Sequence, residues 1–185
     1  MIMSKIIQAI SKLKAPAIIG ISGFGGSGKS TLAKKLAFEI DAAIIGVDFF
    51  YKSHDIIEYQ LWEIIDFNRL EREVLVPYTL GDNKISYSEF DWEKGQVLES
   101  KTISAHNHLI VEEVGIFRPQ LIKYFNYTIW IDCPIEVAIA RGKRRDREDY
   151  GIPQDENWDG IWRNNDLQYF KRFLPKESAD FILDY

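Results

Sequence analysis

Eight consecutive residues constrain this chain more than any others: Gly23-Phe24-Gly25-Gly26-Ser27-Gly28-Lys29-Ser30. The apolar run Ala17-Ile18-Ile19-Gly20-Ile21 precedes them and reads as a buried strand. After them Leu32, Leu36 and Ile40 recur every four residues, with Ala33 and Ala37 beside them, which predicts a helix with one buried face. Glycines let a strand-to-helix turn point several backbone N–H groups at one spot. The positive end of the following helix adds to that anion site. The spacing Gly-x4-Gly-Lys-Ser therefore predicts a phosphate cradle over residues 23–30, continued by Thr31. Lys29 would reach the outer phosphates of a nucleoside triphosphate, and the Ser30 hydroxyl would hold Mg²⁺.

The rest of the pattern places this loop in an α/β fold. Ile44-Ile45-Gly46-Val47 reads as a second buried strand ending at Asp48. Leu109-Ile110-Val111 reads as a third ending at Glu112, and residues 127–131 as a fourth ending at Asp132. Phe181-Ile182-Leu183 closes the series. Ile6, Ile7, Ile10 and Leu13 predict a helix over 4–14, and residues 49–75 read as mostly helical. Pro77, Gly81, Asp82, Asn83 and Gly95 punctuate residues 76–105, where Ile85, Tyr87 and Val97 predict hairpin-like pieces. Pro134 opens a helix into Arg141-Gly142-Lys143-Arg144-Arg145-Asp146-Arg147, and Trp158, Ile161, Trp162, Tyr169 and Phe173 approximate one helical face. Apolar strands alternating with helices predict a three-layer fold, a mainly parallel sheet flanked by helices. The organisation expected is one domain over 1–185, with an acceptor-side excursion at about 49–105 and a lid at about 141–150.

Composition narrows the partners. The net charge of −5 argues against a nucleic-acid partner, and no stretch reaches the roughly 18 apolar residues of a membrane span. Cys133 is the only cysteine, and the N-terminal residues carry Lys5, Lys12 and Lys14 without an unbroken apolar core. Both features suit a reducing cytoplasm. Assembly into a homo-oligomer stays open.

Three uses of a phosphate loop can be compared. A switch GTPase would carry Asn-Lys-x-Asp and Asp-x-x-Gly; Asn83-Lys84-Ile85-Ser86 lacks the aspartate and the second motif is absent. A mechanical ATPase would need more chain and a transmission element. A small-molecule kinase needs a carboxylate near the acceptor hydroxyl, a second acid for the metal and a cationic lid. Asp48 ends the second strand, at the edge where open α/β sheets bind ligands. It could accept or orient the hydroxyl proton, or simply cap a helix. Glu112 ends the third strand at the same edge and could bind Mg²⁺, with Glu113 beside it as the alternative; both could also be solvated loop residues. Arg141 and Arg145, with Arg144 as a substitute, could cross the γ-phosphate, or line a solvated helix face.

These motifs resemble the uridine kinase-like P-loop kinases, which are related to phosphoribulokinase and bacterial pantothenate kinase. Val47-Asp48-Phe49-Phe50-Tyr51 is similar to that family's Asp-x-Phe-Tyr segment, and Leu109-Ile110-Val111-Glu112 to its strand ending in Glu-Gly. Trp130-Ile131-Asp132-Cys133-Pro134 resembles its fourth strand, Arg141-Gly142 through Arg145-Asp146 its Arg-Gly-x-x-Arg-Asp lid signature, and Ser178-Ala179-Asp180 its C-terminal pattern. The likeness runs in family order over about residues 17–184. It implies Asp48 as catalytic base, ATP and Mg²⁺ as donor and metal, and a small hydroxyl acceptor, foremost a nucleoside. Two departures stand out. Glu113 replaces the glycine of Glu-Gly, and Gln60-Leu61-Trp62-Glu63-Ile64-Ile65-Asp66 lacks the Asp-His-Pro segment with which the nucleoside kinases grip sugar hydroxyls.

Other residues carry less. His54, His106 and His108 lack a metal-ligand spacing, and Cys133 reads as buried packing. Tyr78, Tyr87, Asp91 and Trp92 lie where the family builds its acceptor pocket. Arg118 could meet the acceptor or the phosphates, or form a surface ion pair. Two functional classes follow: a kinase for a nucleoside or for another acceptor such as pantothenate or a sugar phosphate, and a nucleotide-binding regulatory protein without turnover.

Overall fold

In the computed structural model, residues 2–105 and 107–184 are described, the Glu99 side chain excepted. The chain opens with α1 (Ile2–Ile10), whose Ile6 and Ile10 are fully buried; it stops short of the expected residue 14. Then come β1 (Ala17–Gly23), α2 (Lys29–Ile40) and β2 (Ala42–Gly46). A 3₁₀ turn at Val47–Phe50 follows. Next are α3 (Phe67–Leu70), a π-helical turn (Glu71–Leu75) and α4 (Val76–Thr79). The hairpin β3 (Lys84–Asp91) and β4 (Gln96–Ser104) precedes β5 (His108–Glu112). The remainder is α5 (Pro119–Ile122), β6 (Tyr127–Asp132), α6 (Ile135–Glu148), α7 (Asp155–Asp159), α8 (Ile161–Phe173) and β7 (Phe181–Asp184).

Five strands form one parallel sheet in the order β2-β5-β1-β6-β7, flanked by helices. Every residue of the central strand β1 is buried, as expected where both faces of a parallel sheet are covered. The expected three-layer α/β fold is thus the one formed. Register places Ile21 and Gly46 level with Glu112. The loop after β1, the turn after β2 and the acidic end of β5 therefore share one edge, because parallel strands all deliver their C-termini to the same side.

Two helical expectations need correction. Residues 51–66 are largely irregular, and helix starts only at Phe67, capped by the Asp66 side chain accepting from the Arg69 amide. Leu61 and Trp62 there take left-handed backbone angles (φ 52° and 59°), which no helix can absorb. The second correction falls on residues 158–173, which form two helices broken at Gly160. A Cβ at Gly160 would lie 2.7 Å from the Glu156 carbonyl, so the chain turns there only without a side chain. The predicted hairpin is present, and Tyr87 of β3 stacks on Phe50 at 5.7 Å, holding it to the Asp48 turn.

Candidate active site

The loop at 23–30 leaves β1 and enters α2 as the spacing requires. Gly26 and Gly28 have positive φ (80° and 101°), and Gly28 stands at the N-cap of α2 without a capping side chain. The first N–H groups of a helix have no intrahelical partner, so α2 presents donors to the loop's interior. The buried Ser27 hydroxyl meets no hydrogen-bond partner among the described residues. Such a cradle fits phosphate oxygens. Phe24 contributes differently from its neighbours: its ring packs into the core against Trp130 and Phe170, at 5.5 and 5.3 Å. Its carbonyl and that of Gly23 accept from the Lys29 ammonium, at 3.1 and 3.2 Å.

Three carboxyl groups gather beside Lys29. Glu113 lies 4.0 Å from its Nζ, and accepts from the Val114 amide at 2.6 Å. The Glu112 carboxyl is hydrogen-bonded to Ser30, and burial, then repulsion from Glu113, pushes it up to about 7. Asp48 sits in the 3₁₀ turn, open to solvent. Its carboxyl is held well above the usual range, first by the charge of Glu113, then by the protein atoms that crowd the carboxyl end of this otherwise exposed residue. Because Asp48 remains in contact with solvent, repulsion is the stronger cause. The structure thus brings together Lys29, Ser30, Asp48, Glu112 and Glu113. Ser30 and Glu112 offer Mg²⁺ two hard oxygens side by side. No group of three His, Cys, Asp or Glu side chains suited to a metal is found among the described residues. An ion here would share its shell with phosphates, which is how Mg²⁺ is ordinarily held.

Helix α6 crosses the loop. A Cβ at Gly26 would lie 2.1 Å from the Ala138 carbonyl and 3.1 Å from the Gly142 amide, so the two backbones touch. The arginines expected to form a lid follow directly. Arg141 is half-buried and near Cys133, itself buried. Arg144 is exposed and lies 3.9 Å from Glu148. Arg145 donates from Nε and Nη2 to Asp146 at 3.0 and 2.8 Å. Asp146 is itself buried and accepts from the Trp158 indole at 2.7 Å. Arg145 is therefore drawn to the helix's own anchor, and turning it onto a phosphate would require leaving Asp146.

One buried acid of this region, Asp166, escaped the sequence. Asp166 of α8, 2% exposed, accepts from the Gly25 amide at 2.8 Å and from the Trp62 indole at 2.9 Å. Burial pushes its carboxyl up to about 7. One signal was available: Asp166 falls on the apolar stripe of Trp162, Tyr169 and Phe173, where a carboxylate is out of place. Arg118 is neither at the phosphates nor in a surface ion pair. It is buried, stacks on Phe67 at 3.4 Å, and donates to the carbonyls of Gly115 and Leu61, both at 2.7 Å. Burial pulls its guanidinium down to about 10.

In the segment expected to face an acceptor, Tyr51, His54, Phe90 and Trp92 form a cluster of rings. Tyr51, three residues beyond Asp48, lies 4.6 Å from Trp92. Tyr78 is buried, and Asp91 binds the turn amides of Glu93 and Lys94. His108 pairs in register with Ala17 and Ala42, and His106 lies outside the described residues.

No family model matches the chain. It is 27% identical to the uridine kinase of Borrelia duttonii (strain Ly) over 184 residues, 90% of this chain and 85% of that protein. Among solved structures, one described as a possible uridine kinase from Bacillus stearothermophilus superposes with a TM-score of 0.70 at 18% identity, over 98% of this chain and 97% of that one. A chain from Silicibacter sp. TM1040, named provisionally as a fructose transport system kinase, gives a TM-score of 0.71 at 21% identity, over 98% of each. At such identities the structural likeness speaks for the fold. In sequence across nine-tenths of its length the chain is similar to a uridine kinase, and across nearly all of it its fold is that of the two solved chains just described.

Proposed function

We propose that the chain transfers the γ-phosphoryl group of ATP to a hydroxyl of a small metabolite, a nucleoside before other acceptors. The observation that carries this reading is the meeting of Lys29, Ser30, Asp48 and Glu112 at one sheet edge. Residues 23–31 hold the phosphates through their backbone, and Lys29 moves from the Gly23 and Phe24 carbonyls to the outer phosphate oxygens. Ser30 and Glu112 hold Mg²⁺, which would neutralise phosphate charge. Asp48 takes the proton of the acceptor hydroxyl as its oxygen bonds to phosphorus and ADP departs with the electron pair of the broken bond. Its raised proton affinity suits a base. Arg141 and Arg145 close over the transferring group.

The nucleoside preference is supported by the name of the Borrelia relative and by the rings of Tyr51 and Trp92, whose faces could stack on a base. A second reading, a kinase for a non-nucleoside acceptor, is favoured by residues 60–66. They lack Asp-His-Pro and follow an irregular path held by Trp62 and Leu61.

ADP release should be measured with ATP and Mg²⁺ across nucleosides, pantothenate and sugar phosphates. One acceptor class should stimulate it. Asp48→Ala should abolish the stimulation and retain ATP binding, and Lys29→Ala should lose both. Tight ATP binding with no stimulation by any acceptor would sink the kinase reading in favour of a regulatory protein.

A further inference from the structure

Asp166 stands at the meeting of two segments that approach the cleft from opposite sides. One oxygen accepts from the amide of Gly25 in the phosphate loop, the other from the indole of Trp62. Trp62 is held a second time, its amide donating to Asn165 at 2.8 Å, while Asn165 donates to the Tyr59 and Ile161 carbonyls. Leu61 beside it is fastened by Gln168 and Arg118. The next residues then brace the Asp48 turn: Lys52 donates to the Ile64 carbonyl at 3.0 Å, Asp66 donates to the Phe50 carbonyl at 2.7 Å, and Tyr51 bridges Ile65. A continuous path of hydrogen bonds and short backbone segments thus runs from the Asp48 turn through Ile64–Asp66 and Trp62 to Asp166 and Gly25.

The chemistry of this join is unusual for packing alone. A buried carboxylate on an apolar stripe is costly, and an apolar residue of similar volume commonly serves stability as well or better. Leu61 and Trp62 also hold left-handed backbone angles, which persist only where the surroundings enforce them. Both features make sense if the carboxylate's two oxygens must be shared between the two segments.

We propose that Asp166 is a positioning residue coupling the acceptor-side segment 59–66 to the phosphate loop, so that seating a nucleotide and setting the Asp48 turn are linked. This rests on reading residues 23–30 as a nucleotide-phosphate loop. It does not require that any particular acceptor be phosphorylated.

The test uses the full chain and equilibrium titration with a fluorescent ADP analogue. Asp166→Asn leaves one amide oxygen for two donors, and Trp62→Phe removes the indole donor while keeping a ring. Each should weaken ADP binding by about five-fold, the scale of one lost hydrogen bond. The double variant should be no weaker than the worse single, because both act through one link. Additive losses, or a Trp62→Phe variant that binds ADP like the wild type, would overturn the coupling. A second arm covers misfolding of either variant. In tryptophan-labelled wild-type protein, the assigned Trp62 indole N–H resonance should shift on saturation with ADP; an unmoved resonance overturns the proposal. Wild-type protein that binds no ADP at all would overturn the phosphate-loop reading itself, and the coupling with it.

Discussion

Gly142 and Trp158 touch so closely that no side chain fits between them. A Cβ at position 142 would lie 2.2 Å from the indole ring. Gly142 is thus the recess that receives Trp158, whose indole N–H then reaches Asp146 one turn along. Alanine is the better helix former, by about 1 kcal/mol. The clash outweighs that gain, and overpacking of this kind costs about 1–3 kcal/mol. Gly142→Ala should therefore lower the free energy of unfolding in urea. A variant as stable as the wild type would show that the helix moves aside without cost.

The acid cluster predicts a pH dependence of stability. Glu112 rises from an ordinary 4.5 to about 7, and Asp48 moves in the same direction. Carboxyls raised in the fold bind protons more tightly there than in the unfolded chain. The stability they supply is full below about 4.5 and lost as pH climbs through about 7. Glu113→Gln removes the charge that pushes both upward and keeps an oxygen for the Val114 amide. It should stabilise the protein at pH 8 and change little at pH 4. Equal effects at both pH values would show that Glu113 does not set the repulsion.

Arg118 predicts a link between stability and the irregular segment at 51–66. Its removal strands the carbonyls of Gly115 and Leu61 and empties the space over Phe67. Arg118→Ala should cost about 3 kcal/mol in denaturant unfolding. It should also speed protease cleavage within residues 51–66. Unchanged cleavage would mean that Asn165 and Gln168 suffice to hold the segment.

Trp92 predicts a separation of kinetic effects. It is half exposed and packs against Tyr51 and Phe90 at 4.6 and 5.3 Å. If these rings stack on an acceptor, Trp92→Ala should raise the acceptor KM by about ten-fold, as loss of one stacking contact does. Nucleotide affinity should hold. A loss of nucleotide affinity instead would place the rings in the fold's support rather than in the acceptor site.

The amino-acid order by itself determined the glycine-rich turn at 23–30, the parallel α/β sheet and the strand end at Glu112, whereas Asp48, expected at a strand end, sits in the 3₁₀ turn two residues past β2. Those signals are local: apolar runs, four-residue spacing, and glycines where the backbone must turn. It also marked the basic run at 141–147, though the partners of Arg145 and the recess at Gly142 were not visible in it. What the tertiary structure alone decided is the company these residues keep. Asp166 meets Gly25 across 141 positions and Trp62 across 104, Arg118 turns inward to Leu61 across 57, and Glu113 presses on both Lys29 and Asp48. Residues 51–66 misled for the same reason, since side chains distant in sequence hold their backbone where no local period does. Pairings over such separations follow from the closure of the sheet and the packing of α8 against its edge, and a linear pattern carries no record of them until those elements are in place.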